Sequence, residues 1–221
     1  MTREIFRGHI KKLENELMDM GQMVITAVNR SVEALKARDI GEAKKIIADD
    51  VLINKRRWDI EEHCINLIAL QQPVATDLRE IIAVLNIITD LERMGDYAEG
   101  IAKIVIMLGS EPLIKPLVDI PLMSQKAISM LTRSLDAFIA RDAKTAEAIC
   151  GEDDYVDNLY NQVYREVLSY MIEDPRTISR ATPLIWAAHN LERIADRVTN
   201  ICERIVYLAT GNLREINVSK Y

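Results

Sequence analysis

Asp90-Leu91-Glu92-Arg93-Met94-Gly95-Asp96-Tyr97-Ala98-Glu99 returns one hundred residues later as Asn190-Leu191-Glu192-Arg193-Ile194-Ala195-Asp196-Arg197. In both copies a Glu precedes an Asp by four positions, so on a helix the two carboxylates share a face one turn apart. A like-charged pair at that spacing costs an isolated helix roughly 0.2–0.5 kcal/mol. The same cost at two matched places implies a positive charge seated against each pair.

Outward from these segments the pattern is helical throughout. Ile10, Leu13, Leu17, Met20, Val24, Ala27 and Ser31 keep a 3-4 spacing within a helix expected over 4–38. Arg38-Asp39 breaks it; Asp39 suits an N-cap with Glu42 in capping-box position, opening a helix over about 40–71. Pro73 starts a third, about 74–108, whose apolar girth (Ile81, Val84, Ile88, Leu91, Ala98, Ala102, Val105) makes it the most buried of the three. Gly109-Ser110-Glu111-Pro112 is the strongest punctuation and divides the chain into residues 1–109 and 110–221. From about 120 the seam resumes (Ile120, Met123, Ala127, Met130, Ser134, Ala137). Arg141-Asp142 breaks it, one helix continues to about 173, and Asp174-Pro175 leads into a last one ending near Gly211, kinked or irregular around Pro183.

The halves are a repeat. Met20, Gln22, Arg30 and Arg38-Asp39 recur 103 positions later as Met123, Gln125, Arg133 and Arg141-Asp142, and Asp50 and Asn54 recur as Asp153 and Asp157. The fold class expected is all-α: two tandem three-helix bundles, six long helices related by an internal repeat. Helices joined by a short turn run antiparallel, so residues equally far from the turn lie level. Asp50/Asn54 and Glu92/Asp96 are equidistant from Pro73; Asp153/Asp157 and Glu192/Asp196 are equidistant from the Asp174-Pro175 turn. Each half therefore brings two polar i,i+4 pairs face to face, roughly 31 Å from the turn in the first half.

Crowded carboxylates protonate or recruit a cation. Oxygen donors suit Mg²⁺, Ca²⁺, Mn²⁺ or iron and argue against thiolate zinc. Glu99, seven residues after Glu92, Glu203, seven after Asp196, and His189, three before Glu192, are additional candidate ligands. Arg93 and Arg193 compete as ordinary ion-pair partners, although adjacent helical positions diverge by about 100° and neither is expected to face the acids. His9 and His63 read as ordinary helix-face residues, and the nine methionines as core filler.

Composition closes several classes. With 28 Lys+Arg against 34 Asp+Glu and a net charge of -6, the chain lacks the basic footprint of nucleic-acid binding. No apolar run reaches the ~18–20 residues of a bilayer span, and the start carries no signal-peptide pattern. Cys64, Cys150 and Cys202 are widely spaced without a CxxC, as expected of reduced core thiols in a cytoplasmic protein. None of the three histidines has Glu three residues before it, as a di-iron carboxylate bundle would want.

On the paired Leu-Glu-Arg-x-x-Asp segments, with Leu70-Gln71-Gln72-Pro73 and Asp77-Leu78-Arg79 ahead of the first, the sequence resembles the PhoU family, regulators of bacterial and archaeal phosphate uptake. The resemblance spans essentially the whole chain. It implies metal clusters on E(D)xxxD motifs, here Asp50/Asn54, Glu92/Asp96, Asp153/Asp157 and Glu192/Asp196, holding iron, Mn, Mg or Zn. Asn54 departs from the acidic pattern, so the first cluster is expected to be weaker. It also implies a non-enzymatic, dimeric cytoplasmic adaptor between a phosphate ABC transporter, through its ATPase subunit, and a membrane sensor histidine kinase. Such an adaptor represses the phosphate-starvation response and meets the membrane only through its partners. The alternative left open is a metal-dependent phosphoester hydrolase built on the same carboxylates.

Overall fold

A computed structural model describes residues 3–212. It contains seven α-helices and, among the described residues, no strand: α1 (Arg3–Ala37), α2 (Ile40–Gln71), α3 (Ala75–Leu108), α4 (Asp119–Ala140), α5 (Ala143–Cys150), α6 (Asp153–Glu173) and α7 (Ile178–Thr210). The first repeat is α1–α3; in the second, α4 and α7 flank a helix cut into α5 and α6. The outermost parts of the expected halves, residues 1–2 and 213–221, lie outside the described residues.

Local chemistry sets the breaks in the same way in both repeats. Arg38 (φ 57°) and Arg141 (φ 53°) adopt the left-handed conformation at the ends of α1 and α4. The next residue caps the following helix: the Asp39 carboxylate accepts from the Glu42 N–H at 2.9 Å, and Asp142 from the Thr145 N–H at 3.1 Å. The reciprocal half of the expected capping box is replaced. Glu42 turns instead to Arg30, whose Nε donates to it at 2.6 Å, because a guanidinium within reach is a stronger partner than a backbone amide. Pro73 stands just ahead of α3 rather than inside it, with Gln72 (φ 45°) making the turn.

The single long helix expected from Asp142 to about 173 is broken at Gly151–Glu152. In the first repeat the position matching Gly151 is Ala48, and α2 runs through it unbroken. Glycine costs about 1 kcal/mol against alanine within a helix. Asp153 and Asp154 at the new N-terminus then favour a fresh start through the helix dipole. Pro183 produces no such break: a short 3₁₀ turn, Pro175–Thr177, precedes α7, which continues through the buried proline.

α3 and α7 form the centre and carry long runs of buried side chains, Ile81, Val84, Ile88, Leu91, Ala98, Ala102 and Val105 among those of α3. They pack against each other and run antiparallel: Asp90 of α3 meets Arg197 and Asn200 of α7, while Gly100 abuts Asn190. The pairs are symmetric about Gly95 and Ala195, so the two repeats are related by a pseudo-twofold axis through the middle of the charged segments. α1 and α4 also touch across it, the Gly21 backbone lying against Leu135. One continuous apolar core runs through both repeats. The α1 seam is as expected except that Val28 and Val32, rather than Ala27, carry it inward. No described helix is long and apolar enough to cross a membrane.

Candidate metal centre

Each hairpin brings its acids level, as equal distance from the turn demands. In the first repeat Asp50 lies on α2 opposite Gly95, whose missing side chain leaves the backbone open to it: a Cβ there would stand 3.5 Å from Asp50 Oδ1 and 3.2 Å from Ile53. Asn54 donates through Nδ2 to Asp50 Oδ2 at 2.7 Å. Burial raises the Asp50 pKa above the ordinary carboxylate value, and the nearby charges of Glu99, Asp96 and Glu92 raise it further. Those five residues form the first cluster. The Asn54 amide, standing where the second repeat has Asp157, lowers its negative charge by one.

The second cluster is more deeply set. Asp153, in the first turn of α6, is 4 % exposed. Burial, followed by the charges of Asp157, Asp196 and Glu192, pushes its carboxyl up to about 7. Burial and the same acids push Glu192 up to about 7 as well, against the pull of Arg193. Burial and mutual repulsion make it costly to ionise both acids on these facing helices, a cost that a cation seated between them would offset. His189 joins them, its Nδ1 3.3 Å from Glu192 Oε2 and its ring 5.9 Å from that of Tyr160. Burial, then Arg193, lowers the His189 pKa, keeping a lone pair available for ligation. Glu203 stands two turns beyond Asp196, and Thr199 occupies the place that Glu99 fills in the first repeat.

The arginines behave differently from expectation. Arg93 Nη1 reaches Asp96 Oδ2 at 3.2 Å and Arg193 Nη1 reaches Asp196 Oδ2 at 2.9 Å. The i,i+3 neighbours meet on the helix surface, and Arg93 also reaches its adjacent Glu92, Nε to Oε2 at 3.6 Å. Lys103 likewise holds Glu99 at 2.6 Å. Among the described residues no three His, Cys, Asp or Glu side chains converge as a ligand set. The donors are hard oxygens that fit a divalent cation, which would have to displace the exposed arginine head groups.

Two further features escape sequence reasoning. Arg30 donates to Asp49 at 2.8 Å, and its repeat counterpart Arg133 donates to Glu152 at 2.8 Å. Each bridge pins the backbone one residue ahead of Asp50 or Asp153. The signal was present, an acid at both matched positions, but not the knowledge that α1 and α4 lie alongside. The second feature is a cavity of about 740 Å³ between α1 and α2, with Gly95 and Glu99 at its floor and Asp19, Arg30, Asp50 and Arg56 along its walls. In the second repeat Lys126, standing where the first has Met23, binds Glu152 and lies over Tyr155.

Residues 17–105 and 120–205 each match the PhoU domain. The chain belongs to the PhoU family. One PhoU domain falls in each repeat, leaving residues 1–16, 106–119 and 206–221 unmatched. A phosphate-specific transport system accessory protein PhoU homolog of Clostridium acetobutylicum is 40% identical over 218 residues, spanning 98% of this chain and 100% of the relative. One of Aquifex aeolicus is 40% identical, with 92% of each chain covered. The crystal structure of PhoU from Pseudomonas aeruginosa superposes with a TM-score of 0.89 at 37% identity, covering 94% of this chain and 100% of that one. The phosphate transport system regulatory protein PhoU from Streptococcus pneumoniae gives 0.88 at 35% identity, with 95% and 99% covered. The all-α tandem-repeat architecture is thus shared with solved members of the family.

Proposed function

We propose that this protein is a non-enzymatic, metal-binding accessory regulator of phosphate uptake. It links a phosphate ABC transporter, through the ATPase subunit, to a sensor histidine kinase and holds the phosphate-starvation response off. The kinship supports the phosphate-transport role, since full-length relatives carry that designation. Support for metal comes from one observation: two acid clusters at repeat-equivalent positions, the second with two carboxyls raised to about 7. Such groups are stabilised by a cation, and a cation held on a protein face is in turn a seat for an anion. Bound iron, Mn, Mg or Zn would present phosphate, or a phosphorylated partner, with positive charge on an otherwise acidic molecule. Dimer formation and peripheral attachment to the membrane through the transporter and kinase belong to the same proposal.

Elemental analysis of the purified protein beside Asp96→Ala and Asp196→Ala tests the metal. Each variant is expected to lose the ions of its own repeat and keep those of the other; equal metal content in all three would end the proposal. Calorimetric phosphate binding is expected to disappear in Glu92→Ala combined with Glu192→Ala. The hydrolase alternative rests on the same clusters, and turnover of a phosphate ester with added Mn²⁺ or Mg²⁺ would favour it.

A further inference from the structure

The outer face of α2 carries large apolar side chains in heptad register: Val51, Trp58 and Ile65 are 63%, 63% and 55% exposed. They form one stripe about 21 Å long, on a helix that packs inward on α1 and α3. The internal repeat supplies a control at two of the three positions, while α6 exposes a different apolar row, Tyr164, Leu168 and Ile172. The matching positions on α6 are Asp154, Asn161 and Leu168, so the bundle itself does not require Val51 or Trp58. Beside the stripe runs a second heptad row, Lys55 and Glu62, of opposite sign.

We infer that this face of α2 is where two copies of the chain join, antiparallel, about a twofold axis at Trp58. Rotation about that axis sets Trp58 against its own copy and Val51 against Ile65 of the second chain. Lys55, three residues before the axis, lies level with Glu62 of the second chain, four after it, on the same flank; the ion pair occurs twice. A self-complementary pattern of this kind is what an isologous interface requires, and a central tryptophan is the usual energetic anchor. The choice of a second copy rests on that charge register. This inference rests on the dimer proposed above and assigns it a surface.

Sedimentation equilibrium of the full-length protein is the test. The wild type is expected to dimerise in about the micromolar range, and Trp58→Glu to raise the dissociation constant about tenfold or more while leaving the circular dichroism unchanged. Lys55→Glu and Glu62→Lys alone are each expected to weaken the dimer about tenfold by setting like charges together, and the double reversal to restore it. A dimer indifferent to all of these substitutions overturns the α2 surface and leaves the dimer itself standing. Single reversals that weaken a dimer the double reversal fails to restore also overturn it. A wild-type monomer at about 100 µM overturns both.

Discussion

Asp153 and Glu192 make the metal-free protein sensitive to pH in a specified direction. Their folded pKa values near 7 lie above the ordinary carboxyl values, so between about pH 4 and pH 7 the folded state holds protons that the unfolded chain has released. Stability of the metal-free protein should therefore fall as pH rises through that window. Urea unfolding at pH 5 and pH 8 checks this: added Mn²⁺ at pH 8 should recover the loss, and Asp153→Asn should abolish most of the difference. Glu152, next in the chain, works the other way. Arg133 and Lys126 lower it to about 2, so its contribution is present above about 4.5 and disappears as pH falls toward 2. The arginines on the acids carry their own prediction. Arg93 is more than half exposed and competes for Asp96 as a cation; Arg93→Ala should tighten divalent binding at the first cluster severalfold by titration calorimetry. Weaker binding would mean that Arg93 orients the carboxylate instead.

At the scale of elements, the matched bridges Arg30–Asp49 and Arg133–Glu152 join the first helix of each repeat to the acid-bearing helix. They differ in consequence because α2 is continuous and α5–α6 is not. Arg133→Ala leaves Glu152 to Lys126 alone and should loosen the break at Gly151, and so weaken metal uptake at the second cluster more than Arg30→Ala weakens it at the first. Site-resolved metal titration of the two variants compares them. The same contrast shows how far the sequence could be read. The level of the acids on facing helices followed from counting to Pro73 and Pro175, since hairpin geometry leaves little choice. The split at Gly151 was also written there, as Gly against Ala48, but a lone glycine inside a helix is usually tolerated. The turn of Glu42 from Asp39 toward Arg30 was not legible, because it depends on how α1 lies beside α2.

For the whole molecule, the shared core predicts that the repeats unfold together. One tryptophan sits in each, Trp58 and Trp186, so single-tryptophan variants, Trp58→Phe and Trp186→Phe, report the halves separately. Their fluorescence midpoints in urea should agree with that of the far-ultraviolet signal; separated transitions would show two independent units. The seam between repeats holds a buried charge, Asp90, bonded to Arg197 at 3.2 Å and Asn200 at 3.4 Å. Asp90→Ala strands the guanidinium and should cost about 2–3 kcal/mol by chemical denaturation.

The amino-acid sequence alone determined that the chain is helical, that it is doubled, and that each half carries four polar side chains at one height. These are consequences of periodicity and chain length, which act locally. Only the tertiary structure decided that α3 and α7 cross antiparallel at Gly95 and Ala195, and that Lys126 binds Glu152 and lies over Tyr155 in the second repeat. It also decided that arginines three positions along hold the acids. Those outcomes depend on which faces meet once apolar surface is buried, and repeats with the same spacing can meet differently when single side chains at the contact differ in size and charge.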